Sequence, residues 1–142
     1  MAGQHVKLEI DGAIATVTLD RPEKRNTLAL EVMQELTATL LEVAVSDARV
    51  VVLAATGPVF SAGHNFGDMH GAELDSIRHL FHVCTEMMDT IQSIPQPVIA
   101  KVHALATAAG CQLVATCDLA VAAESASFAT PGGKGGLFCH TP

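Results

Sequence analysis

Apolar and polar residues alternate along Val6-Lys7-Leu8-Glu9-Ile10, pause at Asp11-Gly12, and alternate again along Ala13-Ile14-Ala15-Thr16-Val17-Thr18-Leu19. A period of two puts every second side chain on one face of a strand, and Asp-Gly suits a tight turn, so the spacing predicts a β-hairpin. A polar loop with a proline, Asp20 to Asn26, follows. From about Leu28 to Val45 the apolar positions Met33, Leu36, Leu40 and Val43 recur at helical spacing. Val50 to Ala54 is a continuous apolar run, as expected of a strand buried on both faces. Gly57-Pro58 opens a loop through Phe60-Ser61-Ala62-Gly63-His64. A second helix is predicted from about Glu73 to Ile94, with Ile77, Phe81, Cys84, Met88 and Ile91 on one stripe, and Pro95 and Pro97 end it. Val98 to Val102 reads as a strand, Thr107 to Gly110 as a turn into a short helix carrying Leu113 and Val114, and Leu119 to Ala122 as a last strand. From Ala129 onward glycine and proline predict no capped element.

The order β, β, α, β, α, β, α, β is an α/β pattern without an internal repeat. The 142 residues suit one domain, and 49% hydrophobic with 16% charged residues supports a packed core and argues against disorder. The formal net charge of -7 disfavours nucleic acid, which is bound through clustered Lys and Arg. No apolar run reaches the roughly 18 residues of a membrane span. The N-terminus shows neither a secretory signal nor an Arg-rich transit pattern, so a cytoplasmic location is expected, with the mitochondrial matrix open for a eukaryotic relative. Without an export signal, Cys84, Cys111, Cys117 and Cys139 are expected to be reduced and mostly buried.

Two segments share a design. Ser61-Ala62-Gly63-His64 and Thr107-Ala108-Ala109-Gly110 each follow a buried strand and are built of small residues that let backbone approach a ligand. The second opens a helix, whose first N–H groups lack intrahelical partners and carry partial positive charge. Either alone reads more simply as a plain strand-to-helix turn. Two such amides converging on one point would make an oxyanion hole.

Several long stretches, in order, resemble the enoyl-CoA hydratase/isomerase (crotonase) family. Thr18 to Asn26 is similar to that family's N-terminal strand and turn, Val51 to Gly63 to its first oxyanion segment, and Val98 to Ala122 to its second. Phe128-Ala129-Thr130-Pro131 is similar to the entry into its acid/base loop, and Ala106-Thr107-Ala108-Ala109-Gly110-Cys111-Gln112 looks most like the enoyl-CoA hydratase domain-containing type. The resemblance implies a spiral of β-β-α units, of which this chain would be the N-terminal portion, lacking the C-terminal helical region. It implies oxyanion amides at His64 and Ala109, and a substrate thioester of coenzyme A, with no prosthetic group and no metal. Lys24, Arg25, Leu28, Ala62, Gly63, Asn65 and Phe66 would border the coenzyme A, the two cations meeting its phosphates; both also read as solvated loop charges. A full-length relative would form a homotrimer or hexamer, an assembly less expected of this chain.

The pattern is broken where hydratases of the family keep two glutamates, since this chain has Gln112 and Gly132. Neither exchanges a proton as a carboxylate does, although the Gln112 amide could position water. General acid–base catalysis contributes about 10² to 10⁴-fold and an oxyanion donor about 2.7–4 kcal/mol, so the chain keeps the electrostatic half of the site and loses the proton-transfer half. Asp68, His70, Glu73, Asp75 and the His64 imidazole are the nearest substitutes in sequence, the first four reading more simply as solvated residues and His64 contributing first through its backbone amide. Asn65 stands where relatives often carry aspartate. His79 and His82 are three apart on a helix but without familiar ligand spacing. Gly132-Gly133-Lys134-Gly135-Gly136 lacks the order of a phosphate loop. Cys111 at a helix start could have a lowered thiol pKa, or be a small packed residue. Two functions follow: an acyl-CoA enzyme working through an enolate, in fatty acyl-CoA metabolism, or a non-catalytic acyl-CoA-binding relative.

Overall fold

The computed structural model describes residues 3–139. The predicted hairpin forms as β1 (Val6–Asp11) and β2 (Ile14–Leu19), paired antiparallel around Gly12. Helix α1 (Leu30–Ala44) follows, then strands β3 (Val50–Ala55) and β4 (Val59–Ser61) and helix α2 (Leu74–Ser93). Next come β5 (Val98–Val102), β6 (Leu105–Thr107), helix α3 (Ala109–Thr116), β7 (Leu119–Ala122) and β8 (Phe128–Ala129). The chain therefore repeats β-β-α three times and starts a fourth unit.

The strands divide between two sheets. One has the order β1-β2-β3-β5-β7 and the other β4-β6-β8. After the hairpin, each unit gives its first strand to the large sheet and its second to the small one, all in parallel register. Sequence periodicity predicts the large sheet and misses the small one, because strands of two or three residues are too short to display alternation.

Registry builds the core. Ala15, Val51 and Val98 lie on one rung and Val17, Leu53 and Ala100 on another, all fully buried. Val32, Met33, Leu36, Leu40 and Val43 of α1 and Leu80, Val83, Cys84, Met87, Met88 and Ile91 of α2 join the same cluster. The expectation that β3 is buried on both faces is corrected: Val51 and Leu53 are buried, whereas Val50, Val52 and Ala54 are half-buried, because the helices cover one face. The segment after Ala129 is also more ordered than predicted. A 3-10 turn spans Pro131–Lys134, and Leu137 N–H donates to the Gly132 carbonyl at 3.0 Å. Of the cysteines, all free, Cys84 is buried and Cys111, Cys117 and Cys139 are half-buried. No helix among the described residues is long and apolar enough to cross a membrane.

Candidate functional site

The loop from Arg21 to Leu28 is the scaffold on which the first small-residue segment rests. Asn26, fully buried with φ 48°, donates through Nδ2 to the carbonyls of Thr56 and Val59, and its Oδ1 accepts from Arg21 N–H. Ser61 Oγ donates to the Asn26 carbonyl at 2.8 Å and accepts from Gly63 N–H at 3.3 Å. Two backbone bonds complete the seam: Ala62 N–H to the Arg25 carbonyl and Leu28 N–H to the Gly63 carbonyl. Arg25 itself is a left-handed cap of the turn Pro22–Lys24.

The second segment meets the first through glycine. A Cβ added to Gly63 (φ +85°) would lie 2.8 Å from Ala108 Cβ and 3.0 Å from the Ala109 nitrogen; one added to Gly110 would lie 2.5 Å from the Ser61 carbonyl oxygen. Ala108, at φ 52° and ψ -127°, takes a backbone conformation that a side chain disfavours, turning the chain so that Ala109 begins α3. Its carbonyl then accepts from Cys111 and Gln112 N–H.

Beside this junction lies a cavity of about 270 Å³. Ala62, His64 and Phe66 line it from the first segment, Ala108, Ala109 and Gln112 from the second, and Phe81 from α2. The closing loop contributes Pro131, Gly132, Gly135, Leu137, Phe138 and Cys139. No Asp, Glu, Lys or Arg is among these lining residues. The His64 ring meets Phe81 edge-on, with centroids 5.4 Å apart and planes at 82°.

The other residues singled out in the sequence lie elsewhere. Gly63 is buried behind the cavity wall, and the Leu28 side chain is fully buried, so only its backbone can border a ligand. Lys24 and Arg25 are exposed on the adjoining loop. Asn65 caps the turn Phe66–Asp68: its Oδ1 accepts from Gly67 N–H and its Nδ2 donates to Asp68 at 2.9 Å. An aspartate at position 65 would set two carboxylates against each other there. Asp68 in turn accepts from Leu30 N–H at 3.1 Å, capping α1 from 38 residues away, and is absent from the cavity lining. His70, Glu73 and Asp75 are exposed and likewise absent from it. His79 and His82 are exposed, His82 facing Glu86, and among the described residues no His, Cys, Asp and Glu group could hold a metal ion.

Of the two readings of Cys111, the lowered thiol pKa is the one overturned. Burial pushes the thiol up and the charge of Cys139 adds to that, against an opposing Ala129 backbone hydrogen bond. Cys117 is pushed up to about 12, chiefly by burial and further by Asp118. Gly132 has no room for a side chain, since a Cβ would stand 1.9 Å from the Leu137 carbonyl oxygen.

Sequence reasoning missed Phe81 as a wall of the cavity, although it marked the residue on the apolar stripe of α2. The Asn65–Asp68 pair was also missed; an Asn three residues before an Asp at a turn is a local capping signal that could have shown it.

A sequence model described as Enoyl-CoA hydratase/isomerase matches residues 9–141. Enoyl-CoA hydratase domain-containing protein 3, mitochondrial, of Danio rerio is 48% identical over 136 residues, which span 94% of this chain and 47% of that protein. Its Homo sapiens counterpart is 46% identical, spanning 94% and 45%. The chain thus spans about half the length of the curated relatives it matches. Among solved structures, human enoyl Coenzyme A hydratase domain-containing protein 3 superposes with a TM-score of 0.93 at 44% identity, covering 98% of this chain and 56% of that one. An enoyl-CoA hydratase of Mycobacterium smegmatis gives 0.93 at 43%, covering 99% and 56%. The two-sheet spiral of β-β-α units is therefore the crotonase fold, and the chain belongs to the enoyl-CoA hydratase/isomerase family.

Proposed function

We propose that the cavity receives the acyl part of a coenzyme A thioester and that the His64 and Ala109 backbone amides face the thioester carbonyl oxygen. The observation that carries this reading is the contact of the two small-residue segments at the wall of an apolar cavity that His64 and Ala109 both line. Negative charge developing on that oxygen would meet fixed N–H dipoles in a water-poor site, where such contacts are strongest. Lys24 and Arg25 sit on the loop whose backbone is tied to Ala62, a placement suited to the phosphates of coenzyme A.

Ordinary hydration is expected to be weak or absent. Gln112 lines the cavity but offers an amide, and Gly132 is packed against the Leu137 carbonyl. These two positions favour the second reading, an acyl-CoA-binding protein without hydratase turnover. Titrating the chain with butyryl-CoA and with free coenzyme A, alongside a crotonyl-CoA hydration assay, tests both. Butyryl-CoA should bind more tightly than coenzyme A alone; crotonyl-CoA turnover at rates ordinary for hydratases would refute the proposed loss of hydration. The vertebrate relatives are named as mitochondrial, so the mitochondrion is a compartment to test beside the cytoplasm. Trimeric or hexameric assembly is proposed only for a full-length relative.

A further inference from the structure

We infer that the His64 imidazole moves the proton in this cavity, and that the reaction supported is exchange of a hydrogen on the carbon next to the thioester carbonyl. This rests on the reading of the cavity as a thioester site. Of the described residues lining it, only His64, with its imidazole, and Cys139, with its thiol, can give up or take a proton. From α3, Gln112 presents a carboxamide; the neighbouring Cys111 is absent from the lining, and burial pushes its thiol pKa up. From the closing loop, Gly132 offers no side chain. From α2, the neighbour of the ring is Phe81, which carries no titrating group. Asp68, the nearest carboxylate in sequence, is taken up by Leu30 N–H and Asn65.

The imidazole belongs to the same residue whose amide would hold the carbonyl oxygen. His64 would supply one oxyanion amide, and its side chain lines the same cavity, held edge-on by Phe81. The carbon that loses the proton is bonded directly to the carbonyl carbon, so a base on the residue that binds the carbonyl oxygen is close to it. The step balances without a co-reactant. An imidazole nitrogen takes the hydrogen as a proton, the C–H pair becomes the new C=C bond, and the carbonyl π pair moves onto the oxygen facing the two amides. The imidazolium returns a proton to the same carbon, and the thioester is restored. No water adds, so no pair of carboxylates is required.

The test incubates the 142-residue chain with butyryl-CoA in D2O and follows deuterium at the carbon beside the carbonyl by mass spectrometry. Exchange is expected at a rate well above that of butyryl-CoA in the same buffer without the chain. His64→Gln, which keeps the backbone amide, should lose about 10² to 10⁴-fold of the exchange rate while still binding butyryl-CoA. Free imidazole should restore part of the rate in His64→Ala, a rescue that a merely structural role would not give. Equal exchange in His64→Gln, or butyryl-CoA binding without any exchange, would each overturn the inference. Failure of the native chain to bind butyryl-CoA would instead overturn the thioester reading beneath it.

Discussion

Gly110 and Gly63 set the distance between the two segments, and the residue between them cannot give way. Ser61 is fully buried and committed at its hydroxyl, donating to the Asn26 carbonyl and accepting from Gly63 N–H. A Cβ at position 110 would stand 2.5 Å from the Ser61 carbonyl oxygen and 2.7 Å from its Cβ, so Gly110→Ala must force the segments apart. Overpacking of this kind costs about 1–3 kcal/mol. We expect Gly110→Ala to lose that much stability in urea unfolding and to weaken butyryl-CoA binding. Gly133→Ala, where a Cβ meets nothing within 4 Å, should change neither. If the two variants behave alike, the close approach is not what shapes the site. Ala108 adds strain at the same wall, since its φ of 52° with ψ -127° costs of order 1–3 kcal/mol for a residue with a side chain.

At the scale of elements, α1 depends on a cap that its own sequence does not provide. Ala29 at its N-cap offers no side-chain acceptor, and Asp68 supplies one to Leu30 N–H from beyond β4. Asp68→Ala should therefore cost about 0.5–2 kcal/mol, as lost caps do, measured by thermal or urea unfolding. Unchanged stability together with lost acyl-CoA turnover would mean that Asp68 serves the chemistry instead. This cap also shows where sequence reading stops. The hairpin, the three helices and the strands of the large sheet follow from periods of 2 and 3.6, which are local and legible. The contact of residue 30 with residue 68 is not local, and neither is the fold-back of Leu137 onto Gly132. The short strands β4, β6 and β8 exist because neighbours pair with them, not because their two or three residues announce a strand. At the site, the small-residue segments were legible as a pair through family resemblance. Phe81 was legible only as a core residue, because helical periodicity gives a face and not what that face encloses.

For the whole molecule, ion pairs bearing on acid stability cluster in the first β-β-α unit. The Asp20 carboxyl is held below its ordinary 3.8 by the hydrogen bond from Lys7 and then by that from the Thr56 hydroxyl, against opposing burial. Glu31 is held below its ordinary 4.5 by its own backbone N–H and then by Arg21 at 2.6 Å. A carboxyl whose folded pKa lies below its unfolded one stabilises fully above the unfolded value and stops doing so as pH falls through the folded one. Stability should thus drop most steeply below about pH 4, and Asp20→Asn should flatten that drop in a series of thermal melts. Solvent screening keeps both contributions modest, Glu31 being half exposed. The opposite end of the sheet poses a different problem. Among the described residues β7 pairs with β5 alone, and its Leu119 and Val121 are 62% and 66% exposed, with Phe128 and Phe138 also open to solvent. An edge strand carrying apolar side chains offers both unpaired backbone groups and a surface to bury. The chain should therefore self-associate with rising concentration despite its net charge of -7. Sedimentation velocity should show Val121→Lys shifted toward monomer, because a charge on the edge strand opposes pairing and removes apolar area together. Ser125→Lys changes the net charge equally at an exposed position outside β7, so it should leave the distribution as it is. An equal shift in both variants would assign the association to overall charge, and a native chain that stays monomeric throughout would show that this edge does not drive it.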